Sequence, residues 1–280
     1  MRYEGEHMDL STRVLLNNDV EIPWIGLGTY LVENGQTVET AVRTALEIGY
    51  RHIDTASFYQ NETGIGRALA NSGIPDDELF VTTKVWNTEQ GYQETMKAFD
   101  RSRKKLQRDV LDLYLIHWPV RDKYIETWKA MEKLYGQGKI KAIGVSNFLE
   151  PHLTVLLKNS EVVPAVNQVE WHPFIFQQKL LDFCGKHSIQ LEAWSPLARG
   201  MFFDNHVLTE IARQHSRSPA QILIRWDLQH SVICIPKSTH LTYIKENSEV
   251  FDFCLSSQEM TAIDGLYTDT RLGPHPDSMG

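Results

Sequence analysis

The chain has 280 residues, 42% of them hydrophobic, and 28 Lys and Arg against 36 Asp and Glu leave a formal net charge of −8. That balance repels phosphate backbones and anionic lipid surfaces, so neither nucleic acid nor membrane is expected as a partner. The length admits two ordinary domains or one repetitive unit, since barrels of alternating strand and helix run to about 250 residues.

The opening stretch, MRYEGEHMDLSTR, is polar and acidic. No uninterrupted apolar stretch reaches the roughly 18 residues that a membrane span needs, so neither export nor embedding is expected. Cys184, Cys234 and Cys254 are scattered, odd in number and without CxxC or His-rich spacing. No disulfide framework and no metal site are expected, and a reducing cytoplasm fits. Cys234 sits inside the apolar run 232–235 and reads as a small buried hydrophobe rather than a nucleophile. The Asn61-Glu62-Thr63 sequon is then irrelevant, because glycosylation needs secretion.

In chain order, 14-VLLNNDVEIP-23 predicts a short hairpin that turns at Asn17-Asn18. Eight short β-type runs come next: 24-WIGLGT-29, 50-YRHID-54, 79-LFVTTK-84, 111-LDLYLIH-117, 140-IKAIGVSN-147, 164-PAVNQVE-170, 189-IQLEAWS-195 and 231-SVICIPKS-238. Helical spacing separates them, as in Val38, Ala41, Val42, Ala45 and Leu46, or Tyr124, Trp128, Met131 and Tyr135. Pro151 suits a first helical turn, and Ser218-Pro219 reads as an N-cap with Pro at the next position. Eight alternations without a linker predict one α/β domain over residues 1–280, a (β/α)8 TIM barrel with the N-terminal hairpin capping its bottom. A doubly wound open sheet is the alternative.

Each run has an apolar body and a polar or reactive tip: Asp54, Lys84, His117, Ser146 with Asn147, Gln168, Ser195, and Lys237 with Ser238. In a barrel the C-terminal tips converge on the rim that carries chemistry. Neighbouring strands then bring Asp54, Lys84 and His117 together with Tyr59 from the loop 54-DTASFYQNE-62. Such a set suits proton donation to a carbonyl oxygen as hydride reaches its carbon. A free phenol, with a pKa of about 10, needs help to act as an acid at neutral pH. Lys84 is expected to stabilise the phenolate and lower that pKa, Asp54 to keep Lys84 charged, and neutral His117 to orient the substrate oxygen. Taken singly, Asp54 and Lys84 also read as a structural ion pair, and His117 as a structural histidine.

The segments DTASFYQNE, VTTKVWN, LYLIHWP, GVSNF, NQVEWHP, WSPL and IPKS, in this order and over nearly the whole chain, resemble the aldo-keto reductase family. The similarity is greatest to the shorter bacterial members that reduce diketo sugars, glyoxal and methylglyoxal. The resemblance implies a catalytic tetrad of Asp54, Tyr59, Lys84 and His117. It implies NADPH lying extended across the rim, with no GxGxxG required; Gly26-Leu27-Gly28 lacks the third glycine.

The family pattern further implies that Ser146, Asn147 and Gln168 hold the nicotinamide carboxamide while Trp194 stacks on its ring. Read without the family, Ser146-Asn147 is equally a helix cap and Trp194 a core aromatic. Gly28, Thr29, Asp54, Ser195 and Leu197 are expected to line the cofactor. Lys237, Ser238 and Thr239 are expected to meet its phosphate, and Tyr243, Glu246 and Asn247 its adenosine. Tyr243 stands where the family usually has arginine, which keeps stacking but loses a charge, so NADH is admitted beside the favoured NADPH.

Tyr30, Tyr59, Trp86, His117 and Trp118 are expected to wall a pocket for small carbonyl substrates, with the tail 267–280 passing over its mouth. A monomer is expected. A Schiff-base barrel enzyme using Lys84, or a non-catalytic nucleotide-sensing subunit, are the other function classes that such a chain admits.

Overall fold

The computed structural model describes residues 8–279; residues 1–7 of the polar start and Gly280 of the tail lie outside the described residues. Strands β1 (Arg13–Leu15) and β2 (Glu21–Pro23) pair antiparallel, with Val14 opposite Ile22. The hairpin forms, but its loop holds three residues instead of the two expected. The Leu16 amide donates to the Val20 carbonyl at 2.8 Å, and Asp19 enters the left-handed region at φ 64°. A type of turn that ends on one left-handed residue matches strand twist, and a short Asp side chain tolerates it. The turn asparagines reach across to the barrel. Asn17 donates to the Pro164 carbonyl and Asn18 to the Lys141 carbonyl, both at the N-terminal ends of strands, so the hairpin closes the bottom.

The barrel strands are β3 (Leu27–Gly28), β4 (His52–Asp54), β5 (Phe80–Val85), β6 (Leu111–Ile116), β7 (Ile140–Ser146), β8 (Val166–Glu170), β9 (Gln190–Trp194) and β10 (Ile233–Cys234). They pair in parallel in chain order, and the bridges Ile25 to Cys234 and Gly28 to Lys237 bring the first strand back to the last. The expected runs 24–29 and 231–238 are therefore mostly irregular backbone joined by single bridges. Gly28 is required at this closure, because a Cβ there would stand 2.6 Å from the Ile235 carbonyl oxygen.

Among the described residues ten helices cover the outside: α1 (Gln36–Ile48), α2 (Glu62–Ala70), α3 (Tyr92–Leu106), α4 (Tyr124–Gly136), α5 (Glu150–Lys158), α6 (Gln178–Lys186), α7 (His206–His215), α8 (Pro219–Gln229), α9 (Leu241–Ser248) and α10 (Ser257–Asp264). In α1 the five residues spaced for one face are all buried, Val38, Val42 and Leu46 each contributing about 1.5–3 kcal/mol and the two alanines less. The helix stops at Gly49, whose φ of 119° lets its amide cap the carbonyls of Ala45 and Leu46. Ser218 forms a capping box with Gln221, and Pro219 opens α8 as the sequence predicts. Helix α7, capped by Asn205, and helix α10 are additions to the eightfold alternation. Among the described residues no helix is long and apolar enough to cross a membrane.

Candidate functional site

The strand tips converge as the alternation predicts. Lys84, fully buried at the end of β5, donates to both oxygens of Asp54 at 2.6 and 2.8 Å and to the Thr55 carbonyl at 2.9 Å. Its fourth oxygen neighbour is the Tyr59 hydroxyl, at 3.5 Å. Tyr59 reaches the cluster because a single 3-10 turn, Ser57–Tyr59, follows β4 and ends at left-handed Gln60. His117 stands edge-on to the Tyr59 ring, 5.7 Å between centroids, so all four expected catalytic residues meet in one place.

Electrostatics corrects one expectation. Burial foremost, then the Asp54 carboxylate, with Tyr30 and Glu192, push the Tyr59 phenol well above its ordinary range. The Lys84 ammonium does not outweigh them in this state, because its charge is committed to Asp54 at a distance almost 1 Å shorter. Burial also pushes the Asp54 carboxyl up, opposed by Lys84 and by the Gln168 amide. For His117, burial and then the Lys84 charge hold the imidazole well below its usual range, so it is neutral. Its Nδ1 is buried without a partner among the described residues.

Around this cluster lie the residues expected to hold the nicotinamide. Asn147, with φ 64°, donates to the His117 carbonyl and the Ser146 hydroxyl and accepts from the Trp194 indole at 2.8 Å. Neither Ser146 nor Asn147 caps a helix: α5 starts after Leu149, whose amide donates to His152 Nδ1. Trp194 is a half-buried rim residue rather than a core aromatic. Gln168 donates from Nε2 to Asp54 at 2.7 Å and to Glu192 at 3.2 Å. Thr29 is fully buried, its hydroxyl on the Asp54 carbonyl. Ser195 opens a loop of left-handed residues that includes Ala198 and Arg199, with Leu197 just before them.

On the β10 side of the rim, Lys237 is exposed and makes no ion pair among the described residues. Beside it the Ser238 hydroxyl accepts from the His240 amide, and half-buried Thr239 leads into the first turn of α9. A free ammonium, hydroxyls and uncommitted helix amides are the donor set that a phosphate needs. Tyr243 lies exposed one turn on, its ring 5.6 Å from His240, while Glu246 is half-buried and Asn247 buried.

The aromatic wall is partly as expected. Tyr30 is exposed and its ring lies 5.1 Å from Tyr59; Trp86 is half-buried and 5.0 Å from His117. Trp118 stacks parallel to His117 at 6.5 Å but is buried, so it backs the wall rather than facing the cleft. Exposed Phe58, not anticipated, stacks on Trp86 at 3.8 Å and extends the wall outward.

Other residues also escaped sequence reasoning. Glu170, fully buried at the end of β8, accepts from the Leu272 amide at 2.5 Å and the Gly273 amide at 3.1 Å. Gly273 then lies on Trp194, where a Cβ would come within 2.6 Å of the indole. Further contacts of the tail run from His152 to Asp277 and from Asn87 to the Met279 carbonyl. Inside the barrel, buried Glu192 and His52 lie beneath the cluster. The one signal for them was a charged or polar residue within an otherwise apolar strand run. All three cysteines are free; burial pushes the Cys234 thiol well up and that of Cys184 to about 12, while Cys254 is exposed.

Comparison with known proteins gives a consistent result. A family model described as the aldo/keto reductase family matches residues 24–268. Glyoxal reductase of Bacillus subtilis is 54% identical over 270 residues, 96% of this chain and 98% of its own length. Methylglyoxal reductase DkgA of Yersinia pestis is 45% identical over 263 residues, 92% of this chain and 94% of its own. Among solved structures, a variant of Gox0644 in complex with NADPH superposes with a TM-score of 0.90 at 43% identity, over 95% of this chain and 98% of that one.

Proposed function

The chain belongs to the aldo/keto reductase family, and from that premise we propose that it reduces small aldehydes and ketones to alcohols with NADPH, Tyr59 giving the proton. The observation that carries this reading is the Tyr59 hydroxyl, 3.5 Å from an ammonium that is itself held by Asp54. When bound, a reduced nicotinamide supplies the hydride. Ser146, Asn147 and Gln168 would hold its carboxamide and Trp194 its ring. Lys237, Ser238 and Thr239 would hold its phosphate, with Tyr243, Glu246 and Asn247 at the adenosine. The free Lys237 ammonium and the NADPH-bound relative support that fit.

Tyr59 keeps its proton across the physiological range, which is the state a general acid requires. As the carbonyl oxygen gains charge it becomes an alkoxide, a far stronger base than a phenolate, and takes the hydroxyl proton. Lys84 then faces the phenolate left behind, so the ammonium serves the product state rather than the resting one. Neutral His117 donates one hydrogen bond to the substrate oxygen and adds no charge. Lys84 is a poor Schiff-base amine, because its hydrogens point at Asp54 and Thr55.

Dicarbonyls such as glyoxal and methylglyoxal are the proposed substrate class, supported by the names of the two relatives. Following NADPH absorbance against a panel of aldehydes, ketones and sugars tests this. Rapid oxidation with short dicarbonyls is expected, and no oxidation with any carbonyl would reject the reading.

A further inference from the structure

Beneath the catalytic cluster the barrel interior holds a second set of polar groups that the proposed reaction does not use. Glu192 of β9 is fully buried and stands in register with Gln168 of β8. Its Oε2 accepts from Gln168 Nε2 at 3.2 Å, and the same nitrogen donates to Asp54 Oδ2 at 2.7 Å. One amide nitrogen is thus held between two carboxyl groups: Asp54, paired with Lys84, can only accept, and Glu192, which burial keeps protonated at neutral pH, accepts through Oε2. The Gln168 oxygen keeps no bond among the described residues. On the other side of Glu192 the His52 ring approaches Oε1 at 3.8 Å without a hydrogen bond, because His52 Nε2 is taken up by the Thr82 hydroxyl at 3.0 Å.

We propose that Glu192 is a positioning residue of the reductase site: it fixes the Gln168 amide with its nitrogen committed to Asp54 and Glu192, so that its oxygen is presented to the nicotinamide carboxamide. This rests on the proposed reductase activity. Without Glu192 the amide is fastened only through Asp54, and its nitrogen loses the second of its two hydrogen bonds.

The charge of the floor is set by its members. Facing Glu192 are His52 and Asp54 from β4, Tyr59 from the following turn, Lys84 from β5, Gln168 from β8 and Cys234 from β10. Burial, then Lys84, holds His52 far down, to about 3, so it is neutral. Lys84 is the one cation of the set and Asp54 already balances it. Burial first, then the Asp54 carboxylate, pushes Glu192 to about 8, so at neutral pH the floor carries no unbalanced charge. Above that pH the ionised Glu192 adds a negative charge that tightens the hold of Tyr59 on its proton. Reduction therefore slows as pH rises through about 8.

The test uses the full chain and two variants, Glu192→Leu and Glu192→Gln. Binding is measured for NADPH and for adenosine 2′,5′-bisphosphate, which lacks nicotinamide, and turnover of methylglyoxal is followed against pH. Glu192→Leu is expected to weaken NADPH by about 5- to 10-fold, the size of one lost hydrogen bond, while the bisphosphate binds as before. Glu192→Gln keeps an acceptor for Gln168, so it is expected to restore most of the NADPH affinity and to lose the decline in turnover above pH 8. Equal weakening of both ligands in Glu192→Leu, no weakening of either, or an unaltered alkaline decline in Glu192→Gln overturns the inference alone. Absence of NADPH-dependent turnover in the unaltered chain overturns the reductase reading as well.

Discussion

The Lys84 ammonium lies 2.6 Å from one carboxylate oxygen of Asp54 and stops 3.5 Å from the Tyr59 hydroxyl. The cation is thus neutralised by its nearer neighbour before reaction and free to answer the phenolate only when one appears. Tyr59→Phe removes the proton and nothing else from this arrangement. Turnover is expected to fall at least about 100-fold, with NADPH affinity nearly unchanged. Steady-state kinetics with a binding titration checks this, and near-normal turnover would reject Tyr59 as the acid.

Lys84→Met tests the pair itself. Both members are buried, and removing one leaves the other as an uncompensated charge, at a cost of about 3–5 kcal/mol. The double variant Lys84→Met with Asp54→Asn removes both charges and is expected to be the more stable of the two. Denaturant unfolding of the single and double variants gives the comparison, and a double variant less stable than Lys84→Met would contradict it.

Much of the barrel was legible because each strand run is apolar with a polar residue at its end, a pattern that only a shared rim explains. Asp54, Lys84 and His117 are such ends, and they do meet. The acidity of Tyr59 was not legible, since residue types give the sign of a neighbouring charge but not the depth of burial that outweighs it. Glu192 and His52 do not end their runs; a polar residue inside an apolar run is their one mark, and strands that bury both faces give no periodicity to say that it matters. The Glu170 clamp joins residues about a hundred positions apart, which no local pattern reports. Helices α7 and α10 follow ordinary capping signals at Asn205 and Ser256 but fall outside the strand–helix repeat.

At the far end of the rim, Lys237 is the cation expected to partner a 2′-phosphate, with His240 or Lys245 nearby, since Tyr243 brings no charge. Lys237→Ala is expected to weaken NADPH by about 10-fold and to leave NADH within about twofold. Dissociation constants for both cofactors measure it. Equal loss for the two would show that Lys237 does not read the phosphate.

Glu170 binds the tail through two backbone amides, and Arg271 approaches the same carboxylate at 3.7 Å. Glu170→Ala therefore releases the segment that packs on Trp194. Faster proteolysis within residues 271–279 and a KM for the carbonyl substrate raised several-fold are expected, with kcat less affected. Unchanged cleavage would show that other contacts hold the tail.

Asp227 on α8 is fully buried and neither of its oxygens has a hydrogen-bond partner among the described residues; the Trp171 indole N–H faces it without a well-formed bond. Burial pushes this carboxyl well up, so the folded chain holds a proton there that the unfolded chain releases. A folded-state pKa above the unfolded one means that stability is lost as pH rises from about 4 toward the folded value. Asp227→Asn keeps the shape and removes the titration. The variant is expected to match the unaltered chain near pH 4 and to exceed it at pH 7 by an amount on the order of 2 kcal/mol. Urea unfolding at several pH values decides: a difference that does not grow with pH would mean that Asp227 keeps its charge, paired with a donor that the fold supplies.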